Sequence, residues 1–410
     1  MKSKIQSFQK DCQKGHVRRI KPNKEAEQYL NDTFGCTRFI WNKMHAEISA
    51  QFSEWQKDSE NNPFPDISKY GIKKVIAILR EDPEFSFLTK VSGNTLRNKL
   101  MDLSSAYTSS IGKNKVKGRR LPRFKKKGRS ESFRLDAPRF RIVDDKYLFI
   151  EKCPVPIRII MDSPLPSTPS RVTIRKTPSG KYYASFLCKF IPEKKYGTKV
   201  TGIDVGINKR AVFSDGFVIE NPRYYHQSLD QIRKLSRELS RKQEGSKNYE
   251  KCRIKLAKKH EYVKNQRAYA THCLTKKVTS ENQAVIFESL NIPKMAQNPH
   301  LSRNILDAAW GDIFRQTIYK AEFSQNCRVF VVPEYMPSSH TCANTGRVLG
   351  RKLKLSERSW ECPFCGETHD RDLNAARVLK TLGEQFIQNV PNYRELKKGV
   401  IAIPDHFSIR

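Results

Sequence analysis

Three acidic residues lie where a carboxylate is either costly or unusually placed. Asp204 interrupts the apolar run GIDVG, Glu288 ends the run VIFE, and Asp372 begins a helical segment with a small apolar face. A carboxylate in a buried strand is destabilising unless a charge or hydrogen bonds compensate it. Divalent cations supply that charge, and two of them about 3.5–4 Å apart, held by carboxylates, hydrolyse phosphodiester bonds. The three acids together therefore predict a two-metal nuclease site.

Each acid taken alone has a structural explanation. Asp204 could stabilise a turn with Asn208, Glu288 could end a strand at the solvent, and Asp372 could cap a helix. Parallel strands, however, bring residues that are distant in sequence to one edge of a sheet. The order and contexts of the three acids favour the catalytic interpretation.

A second group of residues resembles a zinc ribbon with one ligand replaced. Cys362 and Cys365 form a complete CxxC pair, whereas the upstream pair has Cys342 followed by Thr345 where a thiolate would stand. The spacing is otherwise that of a zinc ribbon. Because threonine is a poor ligand, the three cysteines form an incomplete set for Zn²⁺.

Several explanations of this incomplete set stay open. His340 or His369 could supply the fourth ligand, water could close a three-cysteine site, or zinc could be absent, with Trp360 and Phe364 packing the loop. Three thiolates favour metal binding, and we expect both histidines to be surface or structural residues. The other cysteines are scattered, which indicates reduced thiols and a reducing compartment.

A strongly basic segment precedes the middle of the chain. Residues 113–129, KNKVKGRRLPRFKKKGR, contain ten basic residues in seventeen. Such a segment repels itself, so we expect it to be ordered only on a phosphate backbone, as a nucleic-acid clamp. The candidate contacts are Arg119, Arg120, Arg123, Lys125, Lys126 and Lys127.

Composition supports a nucleic-acid partner. The 410 residues include 77 Lys and Arg against 42 Asp and Glu, a formal charge of +35. A charge of this size destabilises a fold unless a polyanion screens it. The length suggests two to four domains, and no apolar run is long enough to span a bilayer. We expect no membrane association.

The pattern before residue 199 predicts a barrel with an inserted helical module. Short alternating runs over 133–190, folded at a TPSG turn, predict β-hairpins, and the strand 16–20 is expected to join them. Between these strands, apolar residues recur at helical spacing over 25–55, and helical patterns continue over 72–79 and 95–111.

After residue 199 the pattern becomes α/β. A strand, a tight turn at Gly206 and a second strand are followed by long basic helices over 221–279. The runs 283–290 and 327–333 predict buried strands, and helices are predicted over 307–324 and 373–382. The residues beyond form a tail with no clear contribution to the core.

The acidic motifs identify a family resemblance. GIDVGI, FESLNI and HDRDLNAA, with a cysteine ribbon between the last two, resemble TnpB, the transposon-encoded RNA-guided nucleases related to small type V CRISPR effectors. FGCTRFIWNKM is similar to the first recognition-lobe helix of that family, LPRFKKKGRSESFRL to its basic segment and TPSGKYYASF to its last hairpin before the nuclease. The resemblance implies Asp204, Glu288 and Asp372 as metal-binding acids, with Asp372 preferred to Asp370 because it precedes x-N-A-A.

The resemblance also implies the fold and the partners. It implies α/β and α+β domains: an RNase H-like RuvC nuclease with an inserted zinc-ribbon-like element, preceded by an OB-like wedge barrel carrying a helical recognition domain. Two Mg²⁺ ions would hydrolyse double-stranded target DNA chosen by guide-RNA pairing next to a short protein-read motif. A monomeric ribonucleoprotein in the prokaryotic cytosol or nucleoid is expected.

The domain boundaries that follow from this resemblance span the whole chain. They are 1–24 for the first barrel strand, 25–120 for the recognition helices, 121–198 for the rest of the barrel, 199–337 for the first part of the nuclease with its lid helices, 338–368 for the ribbon, 369–385 for the last nuclease helix and 386–410 for the tail.

Three other functions fit the sequence less well than a nuclease. An RNA-guided DNA-binding repressor would be expected to have lost one of the three acids, and all three are present. A small type V CRISPR effector would differ in the source of its guide RNA, which the amino-acid sequence does not distinguish. A three-acid DNA transposase matches the motifs poorly. The RNA-guided DNA endonuclease is therefore the favoured hypothesis.

Overall fold

The chain divides into two units, residues 1–191 and 192–410, in the computed structural model. The structure describes residues 12–67, 69–111, 115–116, 118–128, 131–191, 197–324, 327–334, 336–354, 356–390 and 400–404. Each unit has its own sheet and its own apolar core.

An antiparallel seven-stranded sheet forms the frame of the first unit. Its strands are β1 (Cys12–Lys21), β2 (Glu131–Asp136), β3 (Phe140–Val143), β4 (Tyr147–Ile150), β5 (Ile157–Ile160), β6 (Arg171–Lys176) and β7 (Tyr182–Phe190), in the order β2-β6-β7-β1-β5-β4-β3. β6 and β7 form the predicted hairpin, with Gly180 in the left-handed region at φ +84°. The predicted opening strand pairs with β7 and β5.

Three helices lie between β1 and β2 in the chain. They are α1 (Lys24–Lys57), α2 (Lys69–Glu81) and α3 (Gly93–Ile111), with a 3₁₀ helix at Pro83–Lys90. The side chain of Asn23 caps α1 by accepting a hydrogen bond from the backbone N–H of Ala26 (2.9 Å). The first turns of α1 bury Leu30 and Phe34 in the core of the sheet, whereas the later turns pack against α2 and α3. The sheet is therefore interrupted in sequence by a helical insertion.

A mixed six-stranded sheet forms the frame of the second unit. Its strands are β8 (Lys199–Asp204), β9 (Lys209–Phe213), β10 (Val218–Glu220), β11 (Asn282–Glu288), β12 (Arg328–Val332) and β15 (Val400–Ala402). They lie in the order β10-β9-β8-β11-β12-β15, with β8, β11, β12 and β15 parallel. A separate hairpin pairs β13 (Ser359–Glu361) with β14 (Thr368–Asp370).

Helices cover both faces of this second sheet. They are α4 (Tyr224–Ser240), α5 (Lys247–Glu281), α6 (Ile292–Met295), α7 (Ser302–Ala308), α8 (Trp310–Ser324) and α9 (Arg371–Asn389). Val285 and Phe287 of β11 are buried with α5, α7 and α8, and Ala284 and Ile286 are buried with α9. Because successive strand residues face opposite sides, β11 is apolar on both faces. No helix in the described part of the chain combines the length and apolar character needed to cross a bilayer.

The expectation that the tail makes no clear contribution to the core is wrong for residues 400–403. β15 pairs in parallel with β12, and Ile401 and Ile403 are buried against α9 and β12. The run VIAI was too short to give a strand periodicity, and its burial depends on a partner strand about 70 residues earlier in the sequence. Residues 391–399 and 405–410 of the predicted tail lie outside the described residues.

Gly202 of β8 lies against the backbone of α9. A Cβ atom at this position would lie 2.1 Å from the carbonyl oxygen of Ala376 and 2.6 Å from the backbone nitrogen of Lys380. These are backbone atoms, which cannot rotate away, so any larger residue would push α9 off the sheet. Gly202 therefore sets how close α9 lies to β8.

Gly202→Ala should destabilise the protein by about 3 kcal/mol or more, because overpacking against backbone forces a helix to move. Gly350→Ala is the matched control, since a Cβ there meets nothing within 4 Å. Chemical unfolding of both variants would check this. An unchanged unfolding midpoint for Gly202→Ala would show that α9 does not pack on β8 as described.

Candidate active site

Asp204 and Glu288 lie at the carboxyl ends of two neighbouring parallel strands. Ile203 of β8 pairs with Phe287 of β11, and each acid occupies the next position of its strand. The two acids are about 80 residues apart in sequence. Parallel pairing brings them to the same edge of the sheet.

Both acids also face the side of the sheet that α9 covers. Gly202 of β8 contacts α9, and Ile286 of β11 contacts Gly383 of α9. Residues two apart on a strand share a face, so Asp204 and Glu288 point to that same side. The two carboxylates are therefore directed toward the region where α9 lies.

α9 places Asp372 in its first turn. Asp370 is the N-cap, and its carboxylate accepts hydrogen bonds from the backbone N–H groups of Asp372 (3.0 Å) and Leu373 (2.9 Å). Asp372 is one helical turn before Ala376, the residue that contacts β8. Asp370 thus has a capping role, and the Asp372 carboxylate is not engaged in that cap.

Burial and mutual repulsion act on the three carboxylates. Burial raises the pKa of Asp204 to about 7, and the negative charges of Asp372 and Glu288 add to this increase. Burial also raises the pKa of Glu288 to about 7, although a hydrogen bond with Ser338 opposes the change. Asp372 and Glu288 are therefore each close enough to repel Asp204.

Two basic side chains lie beside Asp372. Lys209 Nζ is 3.0 Å from Asp370 Oδ2 and 4.0 Å from Asp372 Oδ2, and an Arg358 guanidinium nitrogen is 3.7 Å from Asp372 Oδ1. They offset part of the negative charge at the start of α9, whereas burial and repulsion dominate at Asp204. Lys209 was not singled out in the sequence, although it lies five residues after Asp204, in the next strand.

Carboxylates in this position offer oxygen ligands, which Mg²⁺ prefers. A bound cation would offset the cost of burying the Asp204 charge and the repulsion from Asp372 and Glu288. Asp204, Glu288 and Asp372 are therefore the candidate ligands for such a cation.

A second cluster lies just before α9. One ligand atom from each of Cys342, Cys362, Cys365 and His369 lies within 4.8 Å of the others. Cys342 Sγ is 3.7 Å from Cys365 Sγ and 3.5 Å from His369 Nε2, and Cys365 Sγ is 3.7 Å from His369 Nε2. Bonds of about 2.0–2.3 Å to a tetrahedral Zn²⁺ place sulfur and nitrogen ligands about 3.5–3.8 Å apart, so the spacing fits zinc.

His369 is not a surface residue, and its position leaves open both a structural role and the alternative that it is the fourth ligand. Its ring is buried and its Nε2 faces two of the thiols, whereas His340 does not belong to the cluster. His369 reaches the cluster because β14 pairs with β13, with His369 opposite Trp360. The signal that could have found it is its position four residues after Cys365 in CPFCGETH.

Thr345 preserves the turn in which a cysteine would stand. Gly346 N donates to the Cys342 carbonyl and Gly366 N to the Cys362 carbonyl, both at 2.8 Å, so the two knuckles share one backbone conformation. Although burial would raise the pKa of the Cys342 thiol, hydrogen bonds from Thr345 and its neighbour lower it to about 6. Thr345 therefore supports a thiolate ligand without ligating.

Asn374 connects this cluster to α9. Its side chain is buried, donates from Nδ2 to the Thr341 carbonyl (2.7 Å) and accepts at Oδ1 from the Ala343 N–H (3.0 Å). These two backbone groups flank Cys342. The first knuckle is therefore fixed to the helix that carries Asp372.

Protein contacts hold the described part of the basic segment. Trp41 Nε1 donates to the Arg123 carbonyl (3.1 Å). The Asn42 side chain donates to the Lys125 carbonyl (3.0 Å) and accepts from the Lys125 N–H (2.8 Å). The expectation that this segment is ordered only on a phosphate backbone is therefore wrong. Residues 112–114, 117 and 129–130 lie outside the described residues.

The six candidate nucleic-acid contacts differ in exposure: one side chain is directed into the protein and five are exposed. The Lys125 ammonium lies 3.6 Å from the centroid of the Trp41 ring, and burial together with Lys99 lowers its pKa to about 7. Lys125 is thus directed into the protein. The remaining five are exposed and stay predicted nucleic-acid contacts: Arg119, Arg120, Arg123, Lys126 and Lys127.

Three family models match the chain. The model described as "Probable transposase" matches residues 171–299, "Cas12f1-like, TNB domain" matches residues 310–379 and "Helix-turn-helix domain" matches residues 12–57. The second of these spans the cysteine cluster and the first turns of α9.

Two curated relatives cover most of the chain. A protein of Streptomyces pristinaespiralis named "Putative RNA-guided DNA endonuclease" is 30% identical over 89% of this chain and 88% of its own. "Putative RNA-guided DNA endonuclease InsQ" of Escherichia coli (strain K12) is 24% identical over 92% of this chain and 95% of its own. The class is thus that of transposon-related proteins. The chain belongs to the TnpB family, as its acidic motifs predicted.

A solved structure is also similar. The protein in "Cryo-EM structure of the Cas12f1-sgRNA-target DNA complex" has 13% sequence identity, with a TM-score of 0.45 over 90% of this chain and 98% of its own. A likeness at this TM-score carries no weight for fold or function.

Stability should depend on pH and Mg²⁺ together. The native pKa values of Asp204 and Glu288, about 7, exceed their ordinary values of 3.8 and 4.5. Without metal, the native state therefore binds more protons than the unfolded state between about pH 4 and 7, and this stabilisation is lost as the pH rises through 7. Mg²⁺ replaces those protons, so its stabilising effect should grow with pH.

Thermal unfolding at about pH 5.5 and about pH 8, with and without Mg²⁺, would check this dependence. The Mg²⁺-induced rise in Tm should be larger at the higher pH and should be lost in Asp204→Asn. Asp230→Asn, at a side chain that is 98% exposed, is the control and should behave as the parent. An equal Mg²⁺ effect at both pH values would contradict metal binding by these acids.

Proposed function

We propose that this protein is an RNA-guided DNA endonuclease and that Asp204, Glu288 and Asp372 form the site at which it hydrolyses phosphodiester bonds. The observation that carries the proposal is the position of Asp204 and Glu288 at one sheet edge near Asp372 of α9: the pKa of the buried Asp204 is raised by its burial and further by the charges of the other two acids. The formal charge of +35 suits a nucleic-acid substrate. The names of the curated relatives support the RNA-guided activity.

The residues divide the chemical work in this proposal. The three carboxylates would hold two Mg²⁺ ions, which when bound supply activation of water and stabilisation of the leaving 3′ oxygen. The Ser338 side chain, which is hydrogen-bonded to Glu288, would orient the Glu288 carboxylate as a metal ligand. Lys209, 4.0 Å from Asp372, lies where it could contact a substrate phosphate once a cation neutralises the acids.

The two units suit the proposed partners. The second unit would be the RuvC nuclease of RNase H-like fold, because its parallel strands carry the acids and α9 covers one face. The first unit would be the wedge barrel with α1, α2 and α3 as its recognition domain. The guide RNA would select double-stranded target DNA by pairing, with the protein reading a short flanking motif and acting as a monomeric ribonucleoprotein.

Zinc is the proposed occupant of the cysteine cluster, with His369 as its fourth ligand. The ligand spacing and the lowered pKa of Cys342 support this assignment. The ribbon would then extend through β14 to residue 370, two residues beyond the boundary drawn from the sequence. A zinc ion there would hold the backbone immediately before Asp372.

Separate replacement of Asp370 and Asp372 by asparagine tests the catalytic assignment. Asp372→Asn should lower the rate of guided DNA cleavage by about a hundredfold or more, because it removes a charged metal ligand. Asp370→Asn should retain most of the rate, since asparagine also caps helices. Rates would be measured on the guide-loaded protein.

The same variants separate a nuclease from a repressor. Asp372→Asn should still bind target DNA in the presence of the guide, because the change leaves the basic surface intact. Loss of cleavage in both variants, or in neither, would contradict the assignment of Asp372. Failure of the parent protein to cleave any guided target would favour the DNA-binding repressor.

A histidine pair tests the zinc ligand set. The purified parent should contain about one zinc ion per chain. His369→Ala should lose most of it and unfold at a lower temperature, whereas His340→Ala should keep it, because His340 lies outside the cluster. Elemental analysis and thermal unfolding provide the two measurements. Full zinc retention in His369→Ala would instead indicate closure by water.

A further inference from the structure

One face of α5 carries exposed tyrosines between exposed lysines. Tyr262 and Tyr269 are 55% and 73% exposed. Residues seven apart share a helix face, so these rings lie about 10 Å apart along α5. Lys255 and Lys258 precede them on this face and Lys276 follows, all three exposed. We call these five residues the α5 strip.

The α5 strip is not needed to pack the second unit. The opposite side of α5 buries Cys252, Val263, Leu274 and Val278, and α5 packs there against α4 and α8. The strip spans about 30 Å of helix. The only acidic residue between positions 255 and 276 is Glu261, which lies about 100° around the helix from Tyr262.

The chemistry of the strip matches a single nucleic-acid strand. Aromatic rings stack on exposed bases, and lysines along the same groove contact the phosphates. Lys259 Nζ already lies 5.2 Å from the centroid of the Tyr262 ring, so a cation and a stacking surface are side by side. A duplex hides its base faces, so only an unpaired strand could use both tyrosines.

We propose that the α5 strip binds single-stranded DNA, with bases stacked on Tyr262 and Tyr269 and phosphates held by the flanking lysines. α5 runs directly into β11, which ends at Glu288, so the strip and the acids belong to the same unit. The choice of DNA rests on the proposed function, because guide pairing to one strand of a duplex releases the other. The stacking surface itself depends only on the geometry of α5.

Binding of fluorescent oligonucleotides to the full-length protein tests this proposal. Affinities for oligo(dT), oligo(U) and a DNA duplex of equal length would be measured by anisotropy over a series of salt concentrations, without divalent cations. Tyr262→Ala and Tyr269→Ala should each weaken oligo(dT) binding by about tenfold at every salt concentration. The corresponding phenylalanine variants should bind as the parent does, since a phenyl ring still stacks.

The lysines should give a different signature. The double variant Lys255→Ala with Lys258→Ala should make the negative slope of log K against log salt shallower by about 1.4, because each substitution removes a phosphate contact. The tyrosine variants should leave that slope unchanged. Tyr147→Ala is the control, because Tyr147 is 43% exposed but belongs to the first unit.

Several outcomes would overturn the proposal. If the tyrosine variants of α5 lost equal affinity for the duplex and for oligo(dT), a stacking site on this helix would be excluded. A loss of oligo(dT) affinity in Tyr147→Ala as large as in the α5 variants would exclude it as well. A loss confined to oligo(U) would assign the strip to RNA. Because no cleavage is measured, these results are separate from the Asp372 test, and either proposal can fail while the other stands.

Discussion

The packing of α9 on β8 is the contact on which the candidate site depends. Gly202 allows the two backbones to approach so closely that no side chain fits between them. That approach brings Asp372 near Asp204, whose pKa is raised mainly by burial and further by the negative charges of Asp372 and Glu288. The apolar face of α9, buried against β11 and β12, supplies the favourable energy that opposes this repulsion.

The cysteine cluster also helps to fix the start of α9, from the residues that precede the helix. Asn374 fixes the first knuckle to α9, and His369 lies one residue before the N-cap Asp370. The start of α9 is thus held by its cap, by buried hydrogen bonds and by the residues of the cluster. Three sets of contacts thus fix the backbone around Asp372, as the proposed role of its carboxylate as a metal ligand would require.

Local patterns in the sequence predicted much of the fold but not its distant contacts. The alternation in β6 and β7 and the apolar runs of β11 and β12 carry their own periodicity, so these strands were predictable. The helices of the first unit lie close to their predicted ranges for the same reason. β15 was missed because its three residues are stabilised by pairing with β12 and by burial against α9, not by a local pattern.

The candidate site shows the same division between local and distant information. The three acids could be found because a charge in an apolar run is visible in sequence, and the family motifs support them. The role of His369 depends on the register of a short hairpin, and the docking of Lys125 depends on Trp41 and Asn42, over 80 residues earlier. Neither contact leaves a periodic signal.

If zinc occupies the cluster, an imidazole in place of a fourth thiolate would change the charge next to the proposed catalytic site. Zinc held by four cysteinates is a dianionic complex, whereas three cysteinates and a neutral histidine leave a monoanion. His369 stands three residues before Asp372, and so beside the site proposed to accept a nucleic-acid phosphate. With Thr345 in place of cysteine, a zinc-loaded ribbon would therefore repel an incoming polyanion less than a four-cysteine ribbon would.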